Sequence, residues 1–512
     1  MPEEVADSRG LAKPAVVEST KVKPRERPAS IRGFAGWVAW AAVLSALSWG
    51  GVSHERERFL RSPEGRATFS LSPRRLLEEV RIDLTNDADI RRYFAYANAA
   101  LGRPHQRAFV RPLSSWLEAF ASGARSDPDL EGIASPPAPL LPYRDYLVEY
   151  PPGFFLWTLP LALLARDPEG FAALFCGAMA ALLTGALLLC RRLASKMGAD
   201  EAVLQALPAF AAGALALLGV VSTHRLDATV SLLVCAAAWA AVERRAALSG
   251  AALGLAVATK LVPALIAPLL LVYLVLDARS RGQDGRAGAW RFSLALGLTA
   301  LALCAPFWAL AGGRTADLLR YHALRPPQVE STAAALVGVA RAFAPSIATA
   351  SHTFGSTNLE GPAAATLSRL STGLGALAVL AALAISIARL RRAGSPQERT
   401  CALVDGLAGL LLAFIAFSKV LSPQYLAWLL PLAVLAALRR RGAVLALLLA
   451  AFGLTQIIYP FSLGALERLE VWAYALVLAR NLLLVTLAAV LLRAPRKVEG
   501  PHSSWNQGPS AE

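Results

Sequence analysis

The chain has 512 residues, 55% of them hydrophobic, with a mean hydropathy of +0.47 and a formal net charge of +15. Its apolar residues fall in runs of about 15–25, long enough for a hydrocarbon core of about 30 Å, which excludes a soluble globular protein; the absence of short alternating segments excludes a β-barrel. The Lys and Arg lie scattered between those runs and form no continuous basic stripe, a pattern that sets nucleic acid aside and follows the positive-inside rule. An all-α polytopic membrane protein is the reading that remains.

Residues 1–32 are rich in Pro, Lys and Glu and are expected to form a disordered cytosolic tail. No cleavable signal peptide is expected, because the first apolar run begins only near Gly33. That run, Gly33 to Val52, is the first span, and the Lys and Arg ending at Arg32 hold its start on the cytoplasmic side. Residues 53–150 then lie outside, a loop too long to be a simple connector. It holds two predicted surface helices, Asp89 to Leu101 and Leu113 to Ala121, and a Pro-rich turn from Ser135 to Pro142. The loop returns to apolar sequence through Tyr143-Arg144-Asp145-Tyr146-Leu147-Val148-Glu149-Tyr150-Pro151-Pro152-Gly153.

Beyond it, Phe154 to Ala165 is short for a full crossing, and Gly170 to Cys190 follows after Arg166-Asp167-Pro168-Glu169. The net-basic segments 191–196, 243–245, 277–291, 389–399, 439–441 and 493–497 are expected to be cytoplasmic. Those near His224, Lys260, 312–361, 418–424 and 461–470 alternate with them and are expected outside. The alternation closes with about 12 spans (11–13) if residues 154–190 cross once. The apolar pieces beside Lys260 are short, which predicts a tight or broken helical hairpin there. Residues 33–362, with outer loops 53–150 and 312–362, make one membrane module; 363–492 make a C-terminal bundle, and 493–512 a second cytosolic tail. No internal repeat is visible, so the inverted-repeat signature of many secondary transporters is missing. Cys176, Cys190, Cys235, Cys304 and Cys401 lie in or beside apolar runs without C-x-x-C spacing and read as packing residues.

By this topology the outer face gathers ionisable and aromatic residues: Asp87 and Asp89, Tyr143 to Tyr150, His224, Arg225 and Asp227, Lys260, Tyr321 to Ser331, and Ser418 to Tyr425. Ionisable groups bounded by apolar helices cost about 2.5–3.5 kcal/mol each on insertion scales, so they mark functional cavities. Carboxylates serve as a general base or bind sugar hydroxyls, while Arg, Lys and His hold a phosphate. Each has a plainer reading. Asp87 and Asp89 fit a helix N-cap, Arg144 and Asp145 a surface ion pair, and His224, Arg225 and Asp227 a solvated turn. Lys260 and Lys419 fit snorkelling lysines.

Five runs, in this order, carry a resemblance: Asp89-Ile-Arg-Arg-Tyr93 with Gly102-Arg-Pro104; Tyr143 to Gly153; His224-Arg-Leu-Asp227; Thr259-Lys-Leu-Val-Pro263; and Ser418-Lys-Val-Leu-Ser-Pro-Gln-Tyr-Leu-Ala-Trp428. Together they resemble the GT-C membrane glycosyltransferases, most of all the polyprenol-phosphate-mannose-dependent branch, glycosyltransferase family 87. The resemblance implies a GT-C fold and inverting transfer of a hexose, mannose first, from a polyprenyl-phosphate donor. The acceptor hydroxyl, on a glycolipid, glycan or protein, would lie at the extracytoplasmic face of the plasma (inner) membrane. It places the catalytic base on Asp89, with Asp87 as the alternative. Lys260, Arg225, His322 and Arg325 are the candidates for the donor phosphate. Asp145, Glu149, Tyr150, His224, Asp227, Tyr321, Lys419, Gln424 and Tyr425 are the candidates for sugar or acceptor. No cofactor is implied; a divalent metal is not indicated, although Asp87, Asp89 and Asp145 are residues that would host one. One departure stands out: 38 residues separate Pro104 from Tyr143, where such proteins have the Gly and the Tyr-Arg-Asp nearly contiguous. The competing reading is a transporter or flippase of lipid-linked saccharides, with the same cationic cavity and no base.

Overall fold

The structure, a computed structural model, describes residues 88–112, 132–440 and 442–493, with Gly36, Ala39, Trp40 and Val43. The two tails, most of the first span, Asp87 and the predicted helix at 113–121 lie outside the described residues. Helix α1 (Ala88–Ala100) starts the described outer loop, which pairs two short strands, β1 (His105–Gln106) with β2 (Ile133–Ala134). After the Tyr143–Gly153 return come α2 (Phe154–Leu164), α3 (Pro168–Lys196), α4 (Glu201–Leu218), α5 (Asp227–Val242), α6 (Ala246–Thr259), α7 (Ala267–Arg279) and α8 (Gly285–Ala311). The second outer loop contains α9 (Asp317–Leu324), α10 (Thr332–Ala340) and an antiparallel hairpin of β3 (Thr349–Thr353) and β4 (Ser356–Glu360). The chain ends in α11 (Pro362–Arg392), α12 (Pro396–Phe417), α13 (Tyr425–Arg440), α14 (Gly442–Gln456), the short α15 (Leu463–Glu467) and α16 (Val471–Leu492).

Local chemistry sets the boundaries. Asp167 caps α3 by accepting from Gly170 N at 2.6 Å, Pro168 takes the first-turn position whose N–H needs no partner, and Lys196 sits in the last turn. Ser395 and Pro396 open α12 in the same way, with Glu398 in its first turn. Pro431 inside α13 removes the N–H that would bond Ala427 O, and the Ser231 hydroxyl on α5 donates to that carbonyl instead. Gly250 and Gly254, four residues apart on α6, bring it against α8 so closely that a Cβ at either would overlap the carbonyl of Phe292 or Leu296.

Among the described residues eight helices are long and apolar enough to cross a membrane by length and composition, fewer than the twelve or so expected. At about 1.5 Å per residue α2 covers about 16 Å, and in the 154–190 region α3 alone is long enough to cross. Helices α5, α6 and α13 have 16, 14 and 16 residues and fall short of a full core thickness. Each stops on the same side, at Asp227, Lys260 and the 418–424 segment, so the bundle is hollowed at that end. The outward faces of α8 and α11 carry Trp290, Leu298, Leu301, Trp308, Leu370, Leu374, Leu377 and Leu380, all exposed, as a lipid-facing surface requires. The chain is an all-α polytopic membrane protein. One apolar core runs from Tyr93 on α1 through α3, α5 and α12 to Leu491 on α16, and therefore joins the two halves expected from the sequence.

Five of the six net-basic segments come together at the other end in their described residues, and the sixth lies outside them beyond Arg493. Lys196 pairs with Glu243, Arg244, Arg281 and Arg399 surround Asp277, and Arg389, Arg439 and Arg440 converge on buried Asp405.

Candidate active site

The hollowed end is built around the return segment. Gly153 N donates to Ala258 O at 2.8 Å, and a Cβ at Gly153 would lie 2.6 Å from that same oxygen. Only glycine lets the chain dock on the last turn of α6, which fixes the start of α2 beside Lys260. Tyr143, at φ 67°, donates its hydroxyl to Tyr150 O at 2.6 Å, and the Tyr146 hydroxyl donates to Tyr96 O at 2.8 Å. The return segment is thus fastened to itself and to α1.

Helix α1 presents Asp89, Arg92, Tyr93 and Tyr96 along one face, the i, i+3, i+4, i+7 spacing of a single stripe. Arg92 bridges Asp89 (3.3 Å) and Glu149 (2.9 Å), and the Tyr96 hydroxyl donates to Glu149 at 2.6 Å. Burial pushes the Glu149 carboxyl up, but the Arg92 charge and the Tyr96 hydroxyl outweigh it, and the net position is below the ordinary glutamate range. The Tyr93 and Tyr150 hydroxyls share a 3.3 Å hydrogen bond, and Tyr150 stacks on Phe154.

Arg225 reaches Asp89 from the turn between α4 and α5, Nε to Oδ2 at 2.6 Å, with its remaining nitrogens on His224 O and the Tyr459 hydroxyl. Asp89 therefore sits between two guanidinium groups with its side chain 22% exposed. Next to it, Asp227 at the first turn of α5 accepts from Lys260 at 2.7 Å and from the indole N–H of Trp428. The Lys260 ammonium lies 5.1 Å from the Tyr425 ring centre and 4.8 Å from that of Trp428, and the two rings stack.

On the far side of the hollow, His322 Nε2 contacts Glu149 O at 2.9 Å, while the Tyr321 hydroxyl donates to Phe354 O at 2.6 Å. Arg325 donates to Ser356 Oγ at 2.6 Å, and its Nε is buried with no hydrogen-bond partner. Lys419 donates to Ala323 O at 2.7 Å; burial, and then the nearby Arg325 charge, hold its ammonium below the ordinary lysine range. Among the described residues no carboxylate lies within ion-pair distance of Arg325 or Lys419. The cluster thus contains five cations, Arg92, Arg225, Lys260, Arg325 and Lys419, against three carboxylates, Asp89, Glu149 and Asp227, an excess of two positive charges.

Of the residues singled out from the sequence, Asp89, Glu149, Tyr150, Arg225, Asp227, Lys260, His322 and Tyr425 are tied into this network. Asp145 is not: its carboxylate is taken by Arg144 (2.7 Å) and Leu141 N (2.7 Å), with the guanidinium half exposed. The surface ion pair weighed for Arg144 and Asp145 is what the structure has, and it belongs to a turn. His224 is buried and lends its carbonyl to Arg225, and Gln424 is half-buried in the turn before Tyr425. Four further residues complete the network without having been candidates for a role: Arg92, Tyr96, Trp428 and Tyr459. The first three stand at helical spacing from Asp89, Tyr93 and Tyr425, which was the available signal; Tyr459 had none. Among the described residues no three His, Cys, Asp or Glu side chains converge as a metal site requires.

The family model for glycosyltransferase family 87 matches residues 147–418, just over half of the chain. The chain belongs to glycosyltransferase family 87. It is a membrane glycosyltransferase, and the match holds Glu149, Arg225, Asp227, Lys260, His322 and Arg325. Asp89 and Arg92 precede it, and Lys419 follows it. No curated protein sequence matches the chain.

Proposed function

We propose that this family 87 glycosyltransferase moves a hexose, mannose first, from a polyprenyl-phosphate carrier to an acceptor hydroxyl with inversion, in the hollow at the end opposite the basic segments. The observation that carries the reading is Asp89, the most exposed of the three carboxylates, beside a cluster with an excess of two positive charges among the described residues. The acceptor oxygen attacks the anomeric carbon and gives its proton to Asp89. The bond from that carbon to the donor phosphate oxygen breaks, and its electron pair stays on the phosphate. A phosphodiester with one negative charge becomes a phosphomonoester with about two, so a site with two uncompensated cations favours the departing group over the bound donor.

Within this reading Arg325 and Lys419 are the first-ranked phosphate ligands, because among the described residues no carboxylate pairs with them, whereas Lys260 and Arg225 are already paired with Asp227 and Asp89. A phosphate arriving beside Arg225 draws the guanidinium from Asp89 and leaves that carboxylate to accept the proton. Glu149 shapes the loop, and Tyr150, Tyr321 and Tyr425 wall the sugar. The acceptor is a glycolipid, glycan or protein, and the hollow faces the extracytoplasmic side of the plasma (inner) membrane.

The test is transfer of labelled mannose from synthetic polyprenyl-phosphate mannose by the purified protein in detergent. Asp89→Asn is expected to lower kcat by about 10²–10⁴ with the protein still folded. Turnover unchanged by that substitution removes Asp89 as the base. Movement of lipid-linked sugar across vesicles without any transfer replaces the reading with a transporter.

A further inference from the structure

Arg480 lies near the middle of α16, fully buried, and pairs with Glu330 at 3.0 Å, itself 1% exposed. An ionised pair at this depth is costly in desolvation and persists only where its hydrogen bonds are complete. Here every nitrogen of the guanidinium has a partner. Arg480 gives Nη1 to the Glu330 carboxylate, Nη2 to the Glu330 carbonyl at 2.9 Å and Nε to Asn481 Oδ1 at 2.8 Å, and Asn481 donates to the same carbonyl at 3.2 Å.

The pair grips a segment that leads to the phosphate ligands. Gln328, two residues before Glu330, donates its backbone N–H to Lys419 O at 2.9 Å and accepts from Leu421 N at 3.2 Å through its side-chain oxygen. Its side-chain nitrogen lies 3.5 Å from the Glu330 carboxylate. Leu359 N on β4 donates to Pro327 O at 2.9 Å, so the segment 325–331 is clasped between α16, the 418–421 stretch and the hairpin. Its two outlets are Arg325 and, across the Gln328 bridge, Lys419.

We propose that Arg480 is a positioning residue for donor binding: through Glu330 and Gln328 it sets the separation of Arg325 and Lys419, and with it the fit to the phosphate of a lipid-linked donor. This rests on the function proposed above. Arg480 touches neither substrate nor reacting atoms; its planar fork, which serves carboxylate and carbonyl at once, is what a lysine does not reproduce.

The experiment titrates sugar-free polyprenyl phosphate against the purified full chain, for the wild type, Arg480→Lys, Lys419→Gln and the double variant. Hydrogen–deuterium exchange is followed on segments 325–331 and 418–422. Arg480→Lys is expected to weaken binding about tenfold, to raise KM more than it lowers kcat, and to speed exchange in those two segments alone. In the Lys419→Gln background the same change is expected to add little, since both act on one site. A loss that persists in full in that background, or exchange of 325–331 unaltered by Arg480→Lys, overturns the proposal. Glu330→Gln, which keeps shape and removes the charge, takes its place if the lysine variant does not fold. A wild type that binds no polyprenyl phosphate overturns the functional reading and this one together, whereas wild-type binding indifferent to Arg480 overturns only this one.

Discussion

Glu149 is the residue whose role changes most once its neighbours are known. A carboxylate beside tyrosines invites a sugar-binding role, yet its two oxygens are held by Arg92 and Tyr96 and its carbonyl faces His322. Because Arg92 and Tyr96 hold its folded pKa below the ordinary value, its stabilising share is present above the unfolded glutamate pKa and is lost as pH falls through the folded one. Glu149→Gln is therefore expected to destabilise by about 3 kcal/mol at neutral pH, since it leaves a buried guanidinium short of a partner. Thermal unfolding in detergent across a pH series should show that gap narrowing in acid. Lys419 has the opposite charge logic. Burial and Arg325 favour its neutral form, so it loses its proton at lower pH than an ordinary lysine. If it holds the donor phosphate, KM for the donor should rise on the alkaline side below the usual lysine range, and Lys419→Arg, always charged, should move that rise upward.

At the scale of elements, the hairpin of β3 and β4 reaches into the site in a way the sequence did not announce. Its turn residues Phe354 and Gly355 have φ of 55° and 66°, the left-handed pair that a two-residue hairpin needs. A Cβ at Gly355 would lie 2.7 Å from an Arg92 nitrogen. The guanidinium is the mobile end of its side chain, so Gly355→Ala is expected to cost only about 1 kcal/mol of stability. Arg92 would nevertheless be moved off Asp89 and Glu149, and about a tenfold loss of transfer is expected, measured as kcat at saturating donor. That contact was hidden because Thr349 to Glu360 mixes Ser, Thr and His with no strict alternation, and its pairing depends on the Phe354-Gly355 turn. Helices were easier to read: the apolar runs and the break at Lys260 mark real boundaries, although α3 starts at Pro168, inside the segment read as a connector. The site was half legible. Arg225, Asp227 and Lys260 stood out as charges among apolar residues and Asp89 through the resemblance, but which cation each carboxylate takes is fixed by α1 and the return segment folding onto α5 and α6, a tertiary fact. Arg480 carried the same signal, a lone arginine within α16, and its partner Glu330 lies 150 residues earlier in the chain.

For the whole molecule, the decisive asymmetry is that charge is used differently at the two ends. At one end the arginines neutralise buried Asp277 and Asp405 and tie helix ends together: Arg389 and Arg440 donate to the carbonyls of Val490, Leu491 and Arg493 that close α16. At the other end the cations surround a hollow, and two of them, Arg325 and Lys419, have no carboxylate among the described residues. The positive-inside rule counts the lysines and arginines of short connectors, and those at 191–196, 243–245, 277–291, 389–399 and 439–441 all fall at the first end. Of the hollow's five cations, Arg92 and Arg325 belong to the two long outer loops, which that rule weights less, and single cations, Arg225, Lys260 and Lys419, stand in its short connectors. The basic end is therefore expected in the cytosol and the hollow outside. Gln283, exposed in the turn between α7 and α8, and His352, exposed on β3, report the two sides. With Gln283→Cys and His352→Cys made singly, a membrane-impermeant maleimide should label position 352 in right-side-out vesicles and position 283 only in inverted ones. The opposite pattern would put the hollow on the cytosolic face. Asp89 and Lys260 would then have to work on a donor presented from that side, and the charge argument for the orientation would fail with it.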